Sequence, residues 1–325
     1  MIKLLSKTFF TIILFLVFAI IYLSIFGIKT KKFNNEISSN ILKINKKINI
    51  SLNDVNYKLN PFKFEINVST ENPKILLSES KLEIKNIETI TSLKSLISGK
   101  FSIDNLKILT KEIKVKDVIS LARTFQNSPE LFILDKVIKE GVLSADINLN
   151  FDSENKIKNN YIIKGFVKNG NLGFINKYEF KDLDFEFNIT SNQYLFNEIE
   201  SSFNEIRLTS PLIEINKKND LFFFNGSILN DNKNFNIQNL KILFGDLFTN
   251  INLKKIRFSS NNDFSFNISK KLKIKDLKIN SIIDLDELDI DEKSLYLKSY
   301  FPNSSEKIKL KNHKVKINFS KNILD

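Results

Sequence analysis

Alternation of apolar and polar residues sets the frame for this chain. Leu143-Ser-Ala145-Asp-Ile147-Asn-Leu149-Asn-Phe151 changes character at every position, and Leu183-Asp-Phe185-Glu-Phe187-Asn-Ile189 does the same. Successive side chains of a strand point to opposite faces, so each segment has one apolar and one wet face. The same rhythm returns in Ile251-Asn-Leu253, Phe264-Ser-Phe266-Asn-Ile268, Leu272-Lys-Ile274 and Leu277-Lys-Ile279, then in Leu295-Tyr-Leu297, Ile308-Lys-Leu310 and Val315-Lys-Ile317-Asn-Phe319. Short stretches of Asn, Asp, Lys, Ser and occasional Gly separate these pieces, and no helical pattern intervenes. That is the signature of antiparallel strands joined by turns, not of βαβ units.

Upstream the two periods mix. Ile48-Asn-Ile50-Ser-Leu52, Phe62-Lys-Phe64-Glu-Ile66-Asn-Val68, Leu82-Glu-Ile84, Phe101-Ser-Ile103 and Leu106-Lys-Ile108 read as strands. Phe33, Ile37, Ile41, Ile44 and Ile48 mark one face of an amphipathic helix, which either caps the domain or lies on a membrane surface. Thr89 to Ser98 reads as a helix stopped by Gly99. Val115 to Phe125 and Glu130 to Glu140 read as two more, broken at Ser128-Pro129 and ended by Gly141.

Phe9 to Ile28 is a run of 20 residues without charge, flanked by Lys3 and Lys7 before it and Lys29, Lys31 and Lys32 after it. At about 1.5 Å per residue it crosses a hydrocarbon core of roughly 30 Å. A cleaved signal peptide has a shorter apolar core and a small-x-small site, which Ser24-Ile25-Phe26 and Gly27-Ile28-Lys29 do not supply. The reading is a single-pass signal anchor. Lysines flank both ends, so charge does not orient it; the short leading tail favours a cytoplasmic N-terminus with the bulk of the chain exported.

Composition removes most chemistries. With no Cys and a single His, at 313, the chain has no disulfide, thiolate nucleophile, zinc ribbon or iron–sulfur site, and no His-rich metal site. The net charge of +12 rests on Lys; only three residues, Arg123, Arg207 and Arg257, are Arg. Lys is spread evenly between apolar positions, whereas nucleic-acid readers gather basic residues on one face and use Arg forks. No nucleic-acid partner is expected. The acidic run Asp284 to Glu292 has Asp289 and Leu295 where a calcium loop needs Gly and Glu, so it reads as a solvated face. Glu179, Asp182, Asp184 and Glu186 read as the wet side of a strand rather than glycosidase carboxylates. The expectation is a non-enzyme without cofactor, metal or catalytic residue.

Two coverings satisfy so many one-sided strands. A second sheet would seal the apolar faces in a sandwich. Alternatively one strongly twisted sheet curls into a trough whose apolar face holds lipid tails, since soluble proteins rarely leave a large apolar surface bare.

The run Ile90 to Lys100 (ITSLKSLISGK) leads straight into Phe101 to Leu109 (FSIDNLKIL); Asp135 to Asp152 leads to Tyr161 to Phe174, then Lys177 to Thr190. This order of Gly and apolar residues resembles the AsmA-like family of bacterial envelope proteins, including its YhdP/TamB-type members, over roughly the first 190 residues. The resemblance implies a fold that is mainly β: an N-terminal transmembrane helix, then a long antiparallel, curled (taco-like) β-sheet with a few short helices. It implies residues 1–8 as cytoplasmic tail, 9–28 as anchor, 29–141 as a chorein-N-like module and 142–325 as repeating sheet. It also implies the bacterial inner membrane, a periplasmic bulk, and phospholipid transport between inner and outer membranes in support of outer-membrane integrity. Partners would be phospholipid acyl chains, the membrane and other envelope proteins. Larger family members span the periplasm, whereas about 275 residues of stacked strand reach on the order of 130 Å at most. This chain would be a short member, would need a partner, or would be one piece of a split protein. Candidate groove-lining residues are Phe101, Ile103, Ile147, Leu149, Phe151, Phe185, Phe187 and Ile189, for each of which a plain core role is the alternative. The alternative function is a membrane-anchored scaffold, a sealed sandwich that assists outer-membrane protein assembly through strand edges.

Overall fold

The computed structural model describes the chain except for residues 1, 45, 78–80, 95–102, 126–128, 153–155, 175–177, 205, 220, 232–234, 236–239, 241–251, 270–272, 292–306 and 325. Strands predominate among the described residues, so the fold is mainly β: an antiparallel, curled, uncapped sheet with few short helices, behind an apolar N-terminal helix. The chain divides into two compact units, Met1–Phe132 with Leu143–Gly165, and Ile133–Val142 with Phe166–Asp325.

The first unit opens with helix α1 (Ile2–Ile25). Its segment Ser6–Ile25 is 20 residues long, apolar enough to cross a membrane, and not buried by any other part of the protein. The helix stops three residues earlier than the uncharged run does. Phe26 and Gly27 both donate to the Tyr22 carbonyl, at 2.9 and 3.4 Å, and Gly27 turns left-handed at φ 72°. A Cβ on Gly27 would stand 2.6 Å from the Tyr57 carbonyl oxygen, so both the φ and the close approach require glycine. Strand β1 (Ile28–Thr30) comes next, then α2 (Asn34–Ile44), β2 (Asn49–Ser51), β3 (Val55–Asn60), β4 (Glu65–Glu71), β5 (Lys74–Leu76), β6 (Lys81–Ser92), β7 (Asn105–Thr110) and β8 (Ile113–Lys114). Helix α2 is fastened to the sheet: Asn34 Nδ2 donates to the carbonyls of Leu52 and Asn53 at 3.2 and 2.8 Å, and Ser38 Oγ to that of Ile50 at 2.8 Å. Helix α3 (Val115–Phe125) lies against β6 and β8 and helps bury Leu82, Ile84, Ile113 and Ile119.

Three expectations change here. Thr89 to Ser92 end strand β6 rather than begin a helix, because β4 on one side and β7 on the other claim their backbone: Ile66 pairs with Thr91 and Leu106 with Thr89. Beyond Lys94, the remainder of that expected helix lies outside the described residues. Phe62 and Phe64 are not strand; they sit in the turn between β3 and β4. Helix α4 (Pro129–Val137) ends before Gly141, which lies inside strand β9 (Ile138–Asn150) at φ 134°.

Strands β9 and β10 (Ile162–Phe174) pair with each other. The second unit then runs as a meander: β11 (Tyr178–Thr190), β12 (Gln193–Phe203), β13 (Ile206–Lys218), β14 (Leu221–Asn230), β15 (Asn252–Ser269), β16 (Ile274–Asp291) and β17 (Lys307–Leu324). From β11 onward each strand pairs antiparallel with the next. The last three strands are 18 residues long each. The short pieces suggested by the alternation are single strands carrying β-bulges. Asp276, at φ 52°, breaks the phase between Ile274 and Leu277 at a register shift against β15, and Asn312, at φ 55°, breaks it between Leu310 and Val315 with no shift of register against β16. One extra residue shifts the alternation by one, so the apolar face is kept only if the sequence skips a beat.

Candidate functional site

In the second unit the bulges keep most of the apolar side chains on one face, while Leu195, Leu212, Phe223 and Ile282 alternate onto the other. Along β11 the apolar face holds Phe180, Leu183, Phe185, Phe187 and Ile189, with the bulge at Asp182 (φ 51°) between the first two. Along β12 it holds Tyr194, Phe196, Ile199 and Phe203. Cross-strand partners then line up. Phe187 pairs with Phe196, Phe196 with Ile213, Ile213 with Gly226, Gly226 with Phe264, Phe264 with Ile279, and Ile279 with Phe319. A neighbouring row runs Ile189, Tyr194, Ile215, Phe224 and Phe266. The six steps of the first row, at about 4.8 Å each, make an apolar path on the order of 29 Å across the strands.

Aromatic contacts knit the rows. Phe224 and Phe266 stack at 4.6 Å with planes 9° apart, Phe180 lies 4.5 Å from Phe203, and Phe185 meets Phe196 edge-on at 5.6 Å. Along these rows Phe187 is buried, while Phe196, Ile213, Phe224, Phe264, Phe266 and Ile279 are only half-buried and Phe319 is exposed. One end of the face is different. There Ile206, Leu240 and Leu253 form a buried cluster with Leu208, Phe235, Ile256, Leu288 and Ile290 around it. Phe235 stacks on Phe258 at 4.3 Å. Phe235 and Leu240, which follow β14, thus pack on that end of the face, and the aromatic rows beyond it stay half-buried.

The wet face is organised by charge. Lys255 donates to the Glu287 carboxylate at 2.7 Å, which holds its pKa below the usual carboxylate range; Lys311 and Arg257 act in the same direction. Arg257 faces Asp286 at 3.7 Å, Lys309 faces Asp289 at 3.6 Å and Lys314 faces Asp284 at 3.3 Å. The acidic run of β16 is therefore a strand face set between basic residues of β15 and β17. In the first unit Lys81 donates to Glu83 at 3.0 Å and, with Lys111 at 3.6 Å, lowers that pKa too.

The first unit has cross-strand rows of its own. Tyr57, Val68, Thr89, Leu106 and Leu149 form one, and Val55, Thr70, Ile87, Ile108 and Ile147 the next. Ile147 and Leu149 thus end two apolar rows of the first unit, whereas Phe185, Phe187 and Ile189 begin those of the second. Ile103 is half-buried just before β7, and Phe151, bridged to Ile157, is half-buried just after β9. Phe101 lies outside the described residues. Sequence reading missed Phe196, Ile213, Phe224 and Ile279 as row members. The Phe222-Phe223-Phe224 run on β14 was the available signal.

Comparisons with protein-family models, with curated proteins and with solved structures give no match.

Proposed function

We propose that this chain is an AsmA-like envelope protein, anchored in the bacterial inner membrane by α1, that carries phospholipid acyl chains on its apolar β-face towards the outer membrane. The observation that carries this reading is the row from Phe187 to Phe319: continuous, apolar and half open over seven strands. A sealed sandwich would bury those rings; among the described residues of the second unit, the buried cluster around Leu240 sits at one end of the face. Each acyl methylene placed on such a face gains about 0.8 kcal/mol. A nearly uniform lining lets a tail leave one row as it enters the next, so transfer along the face needs no catalytic group or cofactor. Headgroups stay in water above the trough. The bulk of the chain is periplasmic in this reading, and its role is in outer-membrane integrity.

A second reading, a scaffold that assists outer-membrane protein assembly, is favoured by one feature. Among the described residues only β16 pairs with β17, so the outer edge of an 18-residue strand is available to another strand. Native mass spectrometry of the full chain released from detergent separates the two. Phospholipid adducts support the groove, and a bare mass under gentle release supports the scaffold.

A further inference from the structure

The turn between β3 and β4, Pro61-Phe62-Lys63-Phe64, exposes two aromatic rings: Phe62 is 95% exposed and Phe64 67%. The turn is well defined, with the Lys63 amide donating to Asn60 Oδ1 at 3.3 Å and the Leu93 amide to the Phe64 carbonyl at 2.7 Å. Phe64 also adopts φ 54°, a left-handed conformation that Gly or Asn ordinarily takes and that is an outlier for a bulky residue. Neither folding nor turn formation accounts for phenylalanine at these two positions.

Their place beside α1 does. Ile28 pairs with Tyr57, and from there β3 runs on through Lys58 and Leu59 to Asn60, back along the end of the helix. The tip, with Pro61 and Phe62, lines a cleft with Ile20, Ile21, Ser24 and Ile25 of α1. Ile20 lies five residues from the helix end at Ile25, about 7.5 Å inside the apolar segment. A helix that crosses a bilayer therefore carries this tip below the membrane surface, with the exposed Lys58 and Lys63 at headgroup level.

We propose that the β3–β4 turn is a membrane-inserted finger, whose Phe62 and Phe64 enter the leaflet holding the C-terminal end of α1 and whose Lys58 and Lys63 meet anionic headgroups. The inference rests on the anchor part of the reading above but not on the groove. It places a wedge of aromatic side chains among lipids beside the anchor, which locally loosens their packing.

The chain has no tryptophan, so a single one is an unambiguous reporter. Full-length Phe62→Trp, Phe64→Trp and, as a control on the exposed wet face of β17, Asn318→Trp are reconstituted in vesicles of phosphatidylethanolamine and phosphatidylglycerol, plain or with brominated acyl chains. Parent-like far-ultraviolet circular dichroism qualifies each variant. The expected result is blue-shifted emission from Phe62→Trp and Phe64→Trp, most of it lost to brominated lipid, with Asn318→Trp neither shifted nor quenched. Water-like, unquenched emission from both turn variants while the chain floats with the vesicles overturns the finger and leaves the anchor standing. A chain that does not float with the vesicles overturns both.

Discussion

Gly226 pairs directly with Phe264 across the β14–β15 ladder, and the Phe264 ring rests on it: a Cβ at 226 would stand 2.9 Å from Phe264 Cζ and 3.1 Å from both Ile213 Cγ1 and the Leu212 carbonyl. The glycine is the gap that lets the aromatic row pass flat across the sheet. Gly226→Val fills it and forces Phe264 off its rotamer. Overpacking of this kind destabilises by about 1–3 kcal/mol. Urea unfolding followed by circular dichroism should show that loss; an unchanged midpoint would mean that Phe264 does not lie on Gly226.

Gly27 ties the anchor to the sheet. Its φ of 72° and the 2.6 Å approach to the Tyr57 carbonyl both exclude a side chain. Gly27→Ala should cost at least about 1–2 kcal/mol from the backbone alone, and more from the clash. The expected outcome is detachment of α1 from β3, read as new tryptic cleavage at Lys29 or Lys31 in the reconstituted protein. Parent-like resistance would contradict it.

The charge ladder predicts an acid-sensitive sheet. The Glu287 pKa is lowered by Lys255, so folding favours the ionised form. That contribution is present above the unfolded-state carboxylate pKa and is lost as pH falls through the lowered folded-state value. Glu287→Gln should therefore be less stable than the parent at neutral pH, with the gap closing in acid. Its partner Lys255 is half exposed on the wet face, so solvent screening keeps the effect small. A gap independent of pH would show that the carboxylate charge plays no part.

Much of the architecture was legible because alternation reports faces directly. Leu143 to Asn150 and Leu183 to Ile189 read correctly as strands with one apolar side, Phe151 falling just past the strand end. The features that stayed hidden have a common cause. Left-handed residues at Asp182, Asp276 and Asn312 shift the phase without a glycine to mark them, so long strands look like short ones. Register depends on partners far along the chain, so nothing near Phe196 announces that it meets Phe187 on one side and Ile213 on the other. Phe62 and Phe64 alternate like strand residues although the chain turns there. Asn60-Pro61 was the local warning.

A charge placed in the row should cost lipid and not fold. Phe196 is half-buried, so Phe196→Asp keeps its carboxylate hydrated while removing the Phe185 contact at 5.6 Å. Loss of one ring from an apolar site is worth about 1.5–3 kcal/mol, a tenfold or greater fall in lipid occupancy. Glu200→Ala, on the wet face and paired with Arg207 at 3.0 Å, should leave occupancy unchanged. Equal occupancy in the two variants would remove Phe196 from the path.

Photocrosslinking in living cells tests the central claim most directly. A benzophenone amino acid replaces Phe266 or Ile279 on the apolar face, or Lys278 on the wet face one strand position away, with phospholipids radiolabelled. The account predicts lipid-bearing adducts from Phe266 and Ile279 and none from Lys278. Adducts absent from the apolar positions, or equally abundant on both faces, would contradict it.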